Sequence, residues 1–318
     1  MRPVHVALLA LLPAASGCGG KAYNPLEAHF NRGVAAYNEG RIDEAVSEYK
    51  LAVMDNPRDF KALFNLGIIH HDQKLYDEAM EYYQRALKID ARNGKILANI
   101  AAIQFEQGKA DEGLKTLEEA VKVERASAFA QTALAAHYES VGDEAKAQEY
   151  YDLALKRDPK NVEARFRLGV REEKKGNLVN AASHFENALA ASPEDIPSLL
   201  ALGRVYAKRA DAADAAADAA EKALAAGYVE RAVLYLDRAT VLQPSREDVH
   251  LQIALLSERA GNYEKALQAL WTARAIDHPR KDPAVDAAIP GHIARICGKL
   301  REKESAPPAS GSGGTAPK

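Results

Sequence analysis

Two cysteines, nine histidines and a short acidic run are the residues of this 318-residue chain best suited to chemistry. Cys18 closes the stretch Ala15-Ser16-Gly17-Cys18, directly after the apolar run from Val4 to Leu12, and its thiol is read as a point of covalent attachment, against the plainer readings of a free thiol after a cleaved signal or an uncleaved start. Cys297 stands at the far end of the chain, so the two cannot found a disulfide framework, and no Cys/His spacing suits zinc. Cys297 is expected to be a small packed hydrophobe. His70 and His71 are adjacent, so on a helix they address different faces and make a poor metal pair. Asp211, Asp214, Asp218 and Glu221 recur at spacings of three and four, which on one continuous helix would put all four on one face. They are read as a candidate acidic docking face or cation site, against the plainer reading of a solvated helix face. The chain has no G-x-S-x-G elbow, P-loop or H-E-x-x-H. No catalytic residue, metal or cofactor is expected.

The N-terminus has the layout of an export signal: Arg2, the apolar run, then the small residues Ala14, Ala15, Ser16 and Gly17. The run is far shorter than the ~20 residues of a spanning helix. With Cys18 next, the segment resembles a bacterial lipoprotein signal, departing from it at Ala15, where that family prefers Leu. The resemblance implies a removable signal over 1–17, a lipid on Cys18 and a linker over 18–25. Gly19, where enteric sorting uses Asp for inner-membrane retention, leans the expectation towards the periplasmic face of the outer membrane.

The rest of the chain repeats. Segments starting at 26, 60, 94, 128 and 162 come into register at a shift of 34 residues, with further copies over 196–246 and 247–280. The eighth position is small in all seven: Gly33, Gly67, Ala101, Ala135, Gly169, Gly203 and Ala254. The twenty-seventh is always alanine, and the twenty-fourth is large: Tyr49, Tyr83, Leu117, Tyr151, Phe185, Leu236 and Leu270. Apolar residues at helical spacing, such as Leu63, Leu66 and Ile69, predict two helices per unit, and the small positions let their backbones approach beneath the large residue. Gly40, Gly108, Gly142, Gly176, Gly227 and Gly261 fall where the first helix must stop; Lys74 takes that place in the second unit, predicting a looser turn. Asp43-Glu44, Asp77-Glu78 and Asp111-Glu112 fall in the first turn of second helices, where carboxylates are favoured. Pro57, Pro159, Pro193 and Pro244 close four units.

This pattern resembles the tetratricopeptide repeat over about four fifths of the chain. The fold class expected is therefore all-α: one right-handed superhelical solenoid of about seven hairpins over 26–280, in units 26–59, 60–93, 94–127, 128–161, 162–195, 196–246 and 247–280. A capping helix is expected over 281–304 and a low-complexity tail over 305–318. The sixth unit carries 17 extra residues rich in Ala and Asp. The simplest reading lengthens its first helix; the alternative is a break into a second short helix.

The resemblance also implies that first helices line the concave side and receive a partner peptide or helix. Carried over by position, the candidate groove residues are Phe30, Val34, Tyr37, Lys61, Phe64, Ile68, His71, Lys95, Phe105, Phe129, Phe166 and Val170. The competing reading is that these side chains merely pack between neighbouring first helices. Of the five residues with which cochaperone repeats grip a C-terminal carboxylate only Asn65 and Lys95 are matched, with Phe30, Val34 and Asn99 in the other places, so that ligand is rejected. A net charge of −3 gives no field for nucleic acid, and no small-molecule substrate is expected. The expected function is a membrane-anchored scaffold for a protein partner in the bacterial envelope. Its architecture is similar to repeat lipoproteins that pilot pilus or secretin assembly. The alternative is a soluble exported or cytosolic adaptor that recruits an enzyme and carries no lipid anchor.

Overall fold

The computed structural model describes residues 25–123, 128–276 and 283–305. Cys18, the signal segment and the tail after Ser305 lie outside them. Within them the chain is all helical, in seven sequential pairs: α1 (Pro25–Asn38) with α2 (Ile42–Asp55), α3 (Phe60–Asp72) with α4 (Tyr76–Ile89), α5 (Gly94–Glu106) with α6 (Ala110–Lys122) and α7 (Ala128–Ser140) with α8 (Glu144–Arg157). Then come α9 (Val162–Lys174) with α10 (Leu178–Ala191), α11 (Ile196–Ala215) with α12 (Ala219–Leu242), α13 (Glu247–Arg259) with α14 (Tyr263–Ala275), and finally α15 (Pro283–Ser305). The chain divides after Asn161 into two compact units, unit 1 ending with α8 and unit 2 starting with α9. Each is described by itself.

In both units the small eighth position lies under the large twenty-fourth. A Cβ at Gly33 would stand 2.7 Å from the ring of Tyr49, and one at Gly169 would stand 2.6 Å from the ring of Phe185. Those large residues are fully buried, and the alanines at the twenty-seventh position are buried with them, so each hairpin closes by knob and gap. The prolines close their units as expected, two residues beyond the ends of α2, α8, α10 and α12. Asp43-Glu44, Asp77-Glu78 and Asp111-Glu112 lie in the first turns of α2, α4 and α6.

The turn at Lys74 is no looser than its glycine counterparts. Lys74 takes the left-handed conformation at φ 61°. Its N–H donates to His71 O and the Leu75 N–H donates to His70 O, both at 2.8 Å, repeating the Gly108 N–H to Phe105 O and Lys109 N–H to Gln104 O bonds. Two hydrogen bonds hold the lysine where a non-glycine backbone is disfavoured by about 1–2 kcal/mol.

The insertion in the sixth repeat lengthens both helices of its hairpin. α11 has 20 residues and α12 has 24, against 13 and 14 in α9 and α10. Gly227 therefore ends nothing; it lies inside α12, carried through by the alanines around it. The chain turns at Ala216–Asp218, where the Asp218 side chain accepts the Ala220 N–H at 3.3 Å. Asp218-Ala219-Ala220-Glu221 has the form of a helix-start signal, and it overrides simple continuation of α11.

α15 buries Ile289 and Ile296 in the core formed with Val249, Ile253 and Leu270, and Ile293 packs alongside. Cys297 on the same helix is half-buried and free. No helix among the described residues is long and apolar enough to cross a membrane.

Candidate functional site: the first-helix face of unit 1

Asp59 caps α3 by accepting the Ala62 N–H at 3.0 Å, and Asn93 caps α5 by accepting the Ile96 N–H at 3.2 Å. These caps set the same start for both helices and place Lys61 and Lys95 at the second residue of each. A cation in the first turn opposes the helix dipole; the Asp59 carboxylate at the cap offsets this in α3, whereas α5 is capped by a neutral asparagine and has no carboxylate in its first turn. The side chains lie instead against aromatic rings. Lys61 Nζ is 5.8 Å from the centre of the Phe30 ring on α1; Lys95 Nζ is 5.3 Å from Phe64 on α3 and 5.8 Å from Phe129 on α7. A row of alternating rings and ammonium groups thus crosses four first helices. Cation–π contacts of this kind contribute about 0.5–2 kcal/mol each, rising with desolvation. Burial holds the Lys95 amine below the ordinary lysine value.

One turn along the same helices, Asn65 and Asn99 are fully buried; the Asn65 amide faces the Tyr49 hydroxyl, and the Asn99 amide atoms make no hydrogen bond. The Tyr49 hydroxyl lies beside Asn65; burial pushes its pKa up to about 12, and the amide opposes the shift. An unmade hydrogen bond at a buried polar group costs about 1–3 kcal/mol, so the Asn99 amide is a poor choice on packing grounds alone.

The predicted groove residues separate into platforms and accessible groups. Phe64 and Ile68 are only 1% and 2% exposed, which corrects their assignment as partner anchors. Neighbouring side chains cover Phe64: Phe60 stacks on it at 6.1 Å, and Lys95 lies over the ring. Phe30, Val34, Tyr37, Phe105 and Phe129 are half-buried, and Lys61 is exposed. Phe105 also packs into the gap at Gly113 and stacks on His137 at 4.9 Å. That burial holds the His137 imidazole below its ordinary pKa. His71 lies 3.4 Å from Glu106, which also accepts the Tyr76 hydroxyl at 2.9 Å.

In unit 2 the same face has different chemistry. Phe166 packs on Phe185 at 5.5 Å, and Val170 is half-buried. Glu173 receives Arg204 through two bonds of 2.8 and 2.7 Å and Lys208 at 2.8 Å. Glu258 is clasped in the same way by Arg295 at 3.1 and 2.7 Å and by Lys299 at 2.9 Å. Desolvation would raise both carboxyls, but the paired cations outweigh it and hold them below the ordinary glutamate value.

The four acids of the insertion do not share a helix face. Asp211 and Asp214 lie on α11, where Arg259 of α13 binds both, meeting Asp211 at 2.7 Å. Asp218 caps α12 and Glu221 sits in its first turn. The missed partners of this hairpin are Arg259 and an aromatic-arginine cluster: Tyr206 donates to Glu186 at 2.8 Å, Arg231 donates to Tyr206 at 2.9 Å, and Arg209 donates to Tyr228 at 3.0 Å. Only the Tyr and Arg enrichment around the insertion signals that cluster in the sequence. Among the described residues no three His, Cys, Asp or Glu come together as a metal site.

These features define an all-helical repeat protein of the kind that acts as a scaffold for protein–protein interaction. Tetratricopeptide-repeat models match residues 60–93 and residues 21–56, 99–162 and 132–196, more than half of the chain, which belongs to the tetratricopeptide-repeat family. A search of curated proteins gives no match. Among solved structures, yeast Tom70 is similar with a TM-score of 0.59 and 14% identity over 88% of this chain and 55% of that one. The Cut9–Hcn1 hetero-tetramer of APC/C gives 0.54 and 17% over 83% and 48%. A monomeric IFIT1 mutant with Gppp-AAAA gives 0.53 and 18% over 88% and 66%. The chain spans about half the length of the first two, and at these identities the likeness is one of fold.

Proposed function

We propose that this chain is a lipid-anchored scaffold that holds a segment of a partner protein on the first-helix face of unit 1, at the periplasmic face of a bacterial envelope membrane. The observation that carries the binding part is the row Phe30, Lys61, Phe64, Lys95 and Phe129, with its lysines set against rings and not against carboxylates. The anchoring part rests on Ala15-Ser16-Gly17-Cys18 after the apolar run. Only seven residues separate Cys18 from Leu26, at most about 25 Å of extended chain. A lipid on Cys18 would keep Phe30 and Tyr37 near the bilayer, so the partner belongs at that surface, as in assembly of an envelope complex such as a pilus or secretin.

Two measurements in cells test the two parts. Metabolic labelling with a fatty acid should mark the wild type and be lost in Cys18→Ser; an unlabelled wild type removes the anchor and leaves a soluble adaptor. A photo-crosslinker at position 61 or 129 should capture a defined protein. Equal or stronger capture of that protein from position 179 on α10 would place the interaction away from the first-helix face.

A further inference from the structure

We propose that the edge of unit 1 where α1 starts and α2 ends is a membrane-contact surface, with Leu51 and Met54 set among the headgroups of an anionic bilayer and Lys50 and Arg58 against its phosphates. This inference rests on the lipid-anchor reading above and adds how the anchored chain stands on the membrane.

Three observations meet at that edge. His29 Nε2 on α1 lies 3.9 Å from Asp55 Oδ2, so the last turn of α2 stands beside the point where the chain leaves α1 towards Cys18. Met54, 74% exposed, and Leu51, 39% exposed, lie one turn apart there and outside the core cluster of these helices. Lys50 borders them and Arg58 follows in the next turn; both are exposed, and among the described residues neither pairs with a carboxylate. The charge of unit 1 is also divided between its two edges. Residues 49–61 and 83–95, which run from α2 and α4 into the next first helix, carry seven Lys and Arg against three Asp and Glu; residues 36–48 and 70–82, around the turns of the opposite edge, carry two against eight.

Exposed apolar side chains alone are ordinary on a protein surface, and here the tether decides what covers them. The residues between Cys18 and Leu26 reach at most about 25 Å, and they join unit 1 at the basic edge. The acidic edge stands further off by the length of α2, about 21 Å for its 14 residues. A tether by itself would let the unit tip in any direction, and the charges select one. Within a Debye length of about 8–10 Å an anionic surface attracts the basic edge and repels the acidic one. In that pose Leu51 and Met54 enter the interface, while Lys50 lays its apolar stem beside them and keeps its amine at the phosphates. Apolar burial joined to attraction for anionic lipid is the combination that holds interfacial segments.

The test uses the full chain, purified from membranes and placed on vesicles of phosphatidylethanolamine and phosphatidylglycerol. In a Cys297→Ser background a nitroxide is attached at Asn56→Cys, beside the patch, or at Glu78→Cys, on the opposite edge. Oxygen partitions into the bilayer and a nickel chelate stays in water, so the ratio of their collision rates with the label reads depth. The ratio should be several-fold higher at 56 than at 78. Lys50→Glu with Met54→Glu should bring 56 down to the value at 78, while the chain still sediments with the vesicles and keeps its helix content by circular dichroism. Equal ratios in the unsubstituted background, or an unchanged ratio in the double variant, overturn the contact surface. Spin–spin broadening between labels at 56 puts a second copy of the chain over the patch and overturns it as well. A chain that carries no fatty acid removes the anchor, and this surface falls with it; a lipid-bearing chain with equal ratios refutes the surface alone.

Discussion

Substituting Gly169 by alanine tests the knob-and-gap packing on which both units depend. The new Cβ would lie 2.6 Å from the nearest atom of the Phe185 ring, roughly 1 Å inside the ~3.5–4.0 Å of ordinary carbon contact. Phe185 is fully buried and shares its core with Ala181, Ala182, Leu199 and Leu202, so the ring has little room to withdraw. Over-packing of this kind costs about 1–3 kcal/mol, and the higher helix propensity of alanine returns about 1 kcal/mol. The net expectation is a loss of about 0–2 kcal/mol. Gly298→Ala on α15 is the same chemical change with nothing within 4 Å of the added methyl, and it should instead gain about 0.5–1 kcal/mol. Shortening the knob closes the cycle: Gly169→Ala with Phe185→Leu should be less damaging than the two single changes summed, by about 1 kcal/mol. Urea midpoints followed by circular dichroism, at unchanged denaturant slope, give all four values. If the two glycine changes shift stability by the same sign and amount, or if the cycle is additive within ~0.5 kcal/mol, the close approach does not govern the packing.

Three further outcomes follow from particular residues. Lys74→Gly should raise stability by about 0.5–1 kcal/mol, since it removes left-handed strain larger than the freedom glycine adds to the unfolded chain; an unmoved thermal midpoint contradicts this. Glu258 is held below its ordinary pKa when folded, so its stabilising contribution is present above the unfolded value and is lost as pH falls through the folded one. Glu258→Gln should therefore cost about 1 kcal/mol near neutrality and flatten the acid limb of the stability curve, and an unchanged acid limb would refute the clasp. His137 is depressed by burial against Phe105, so it stays neutral further into acid than a solvated histidine and its contribution is lost as pH falls. In an NMR titration Phe105→Ala should move it up towards the ordinary value, and no movement removes the stacked ring as the cause.

Much of the fold was legible because repetition multiplies weak signals. One glycine opposite one tyrosine says little; seven small residues opposite seven large ones specify a hairpin that must stack. The candidate site was less legible. Sequence position placed Phe64 and Ile68 on the first-helix face but could not tell that both would be buried, Phe64 beneath Phe60 and Lys95, since burial depends on which side chains are brought alongside in space. The acids of the insertion gave the same lesson. Their spacing implies one face only if the helix continues, and the capping preference of Asp218 ended that continuity.

The sequence by itself determined the class of protein: helical period, small and large positions in fixed register, left-handed turns and proline stops are local properties, and each is decided within a few residues. It also determined the chemistry available at either end, from Cys18 to the apolar stripe of α15. Only the tertiary structure decided which charges are satisfied. Lys95 meets Phe64 and Phe129, Glu258 meets Arg295 and Lys299, and Arg259 meets Asp211 and Asp214 across separate helices. Electrostatic partners are set by distance in space and by exclusion of water, and neither can be read from separation along the chain.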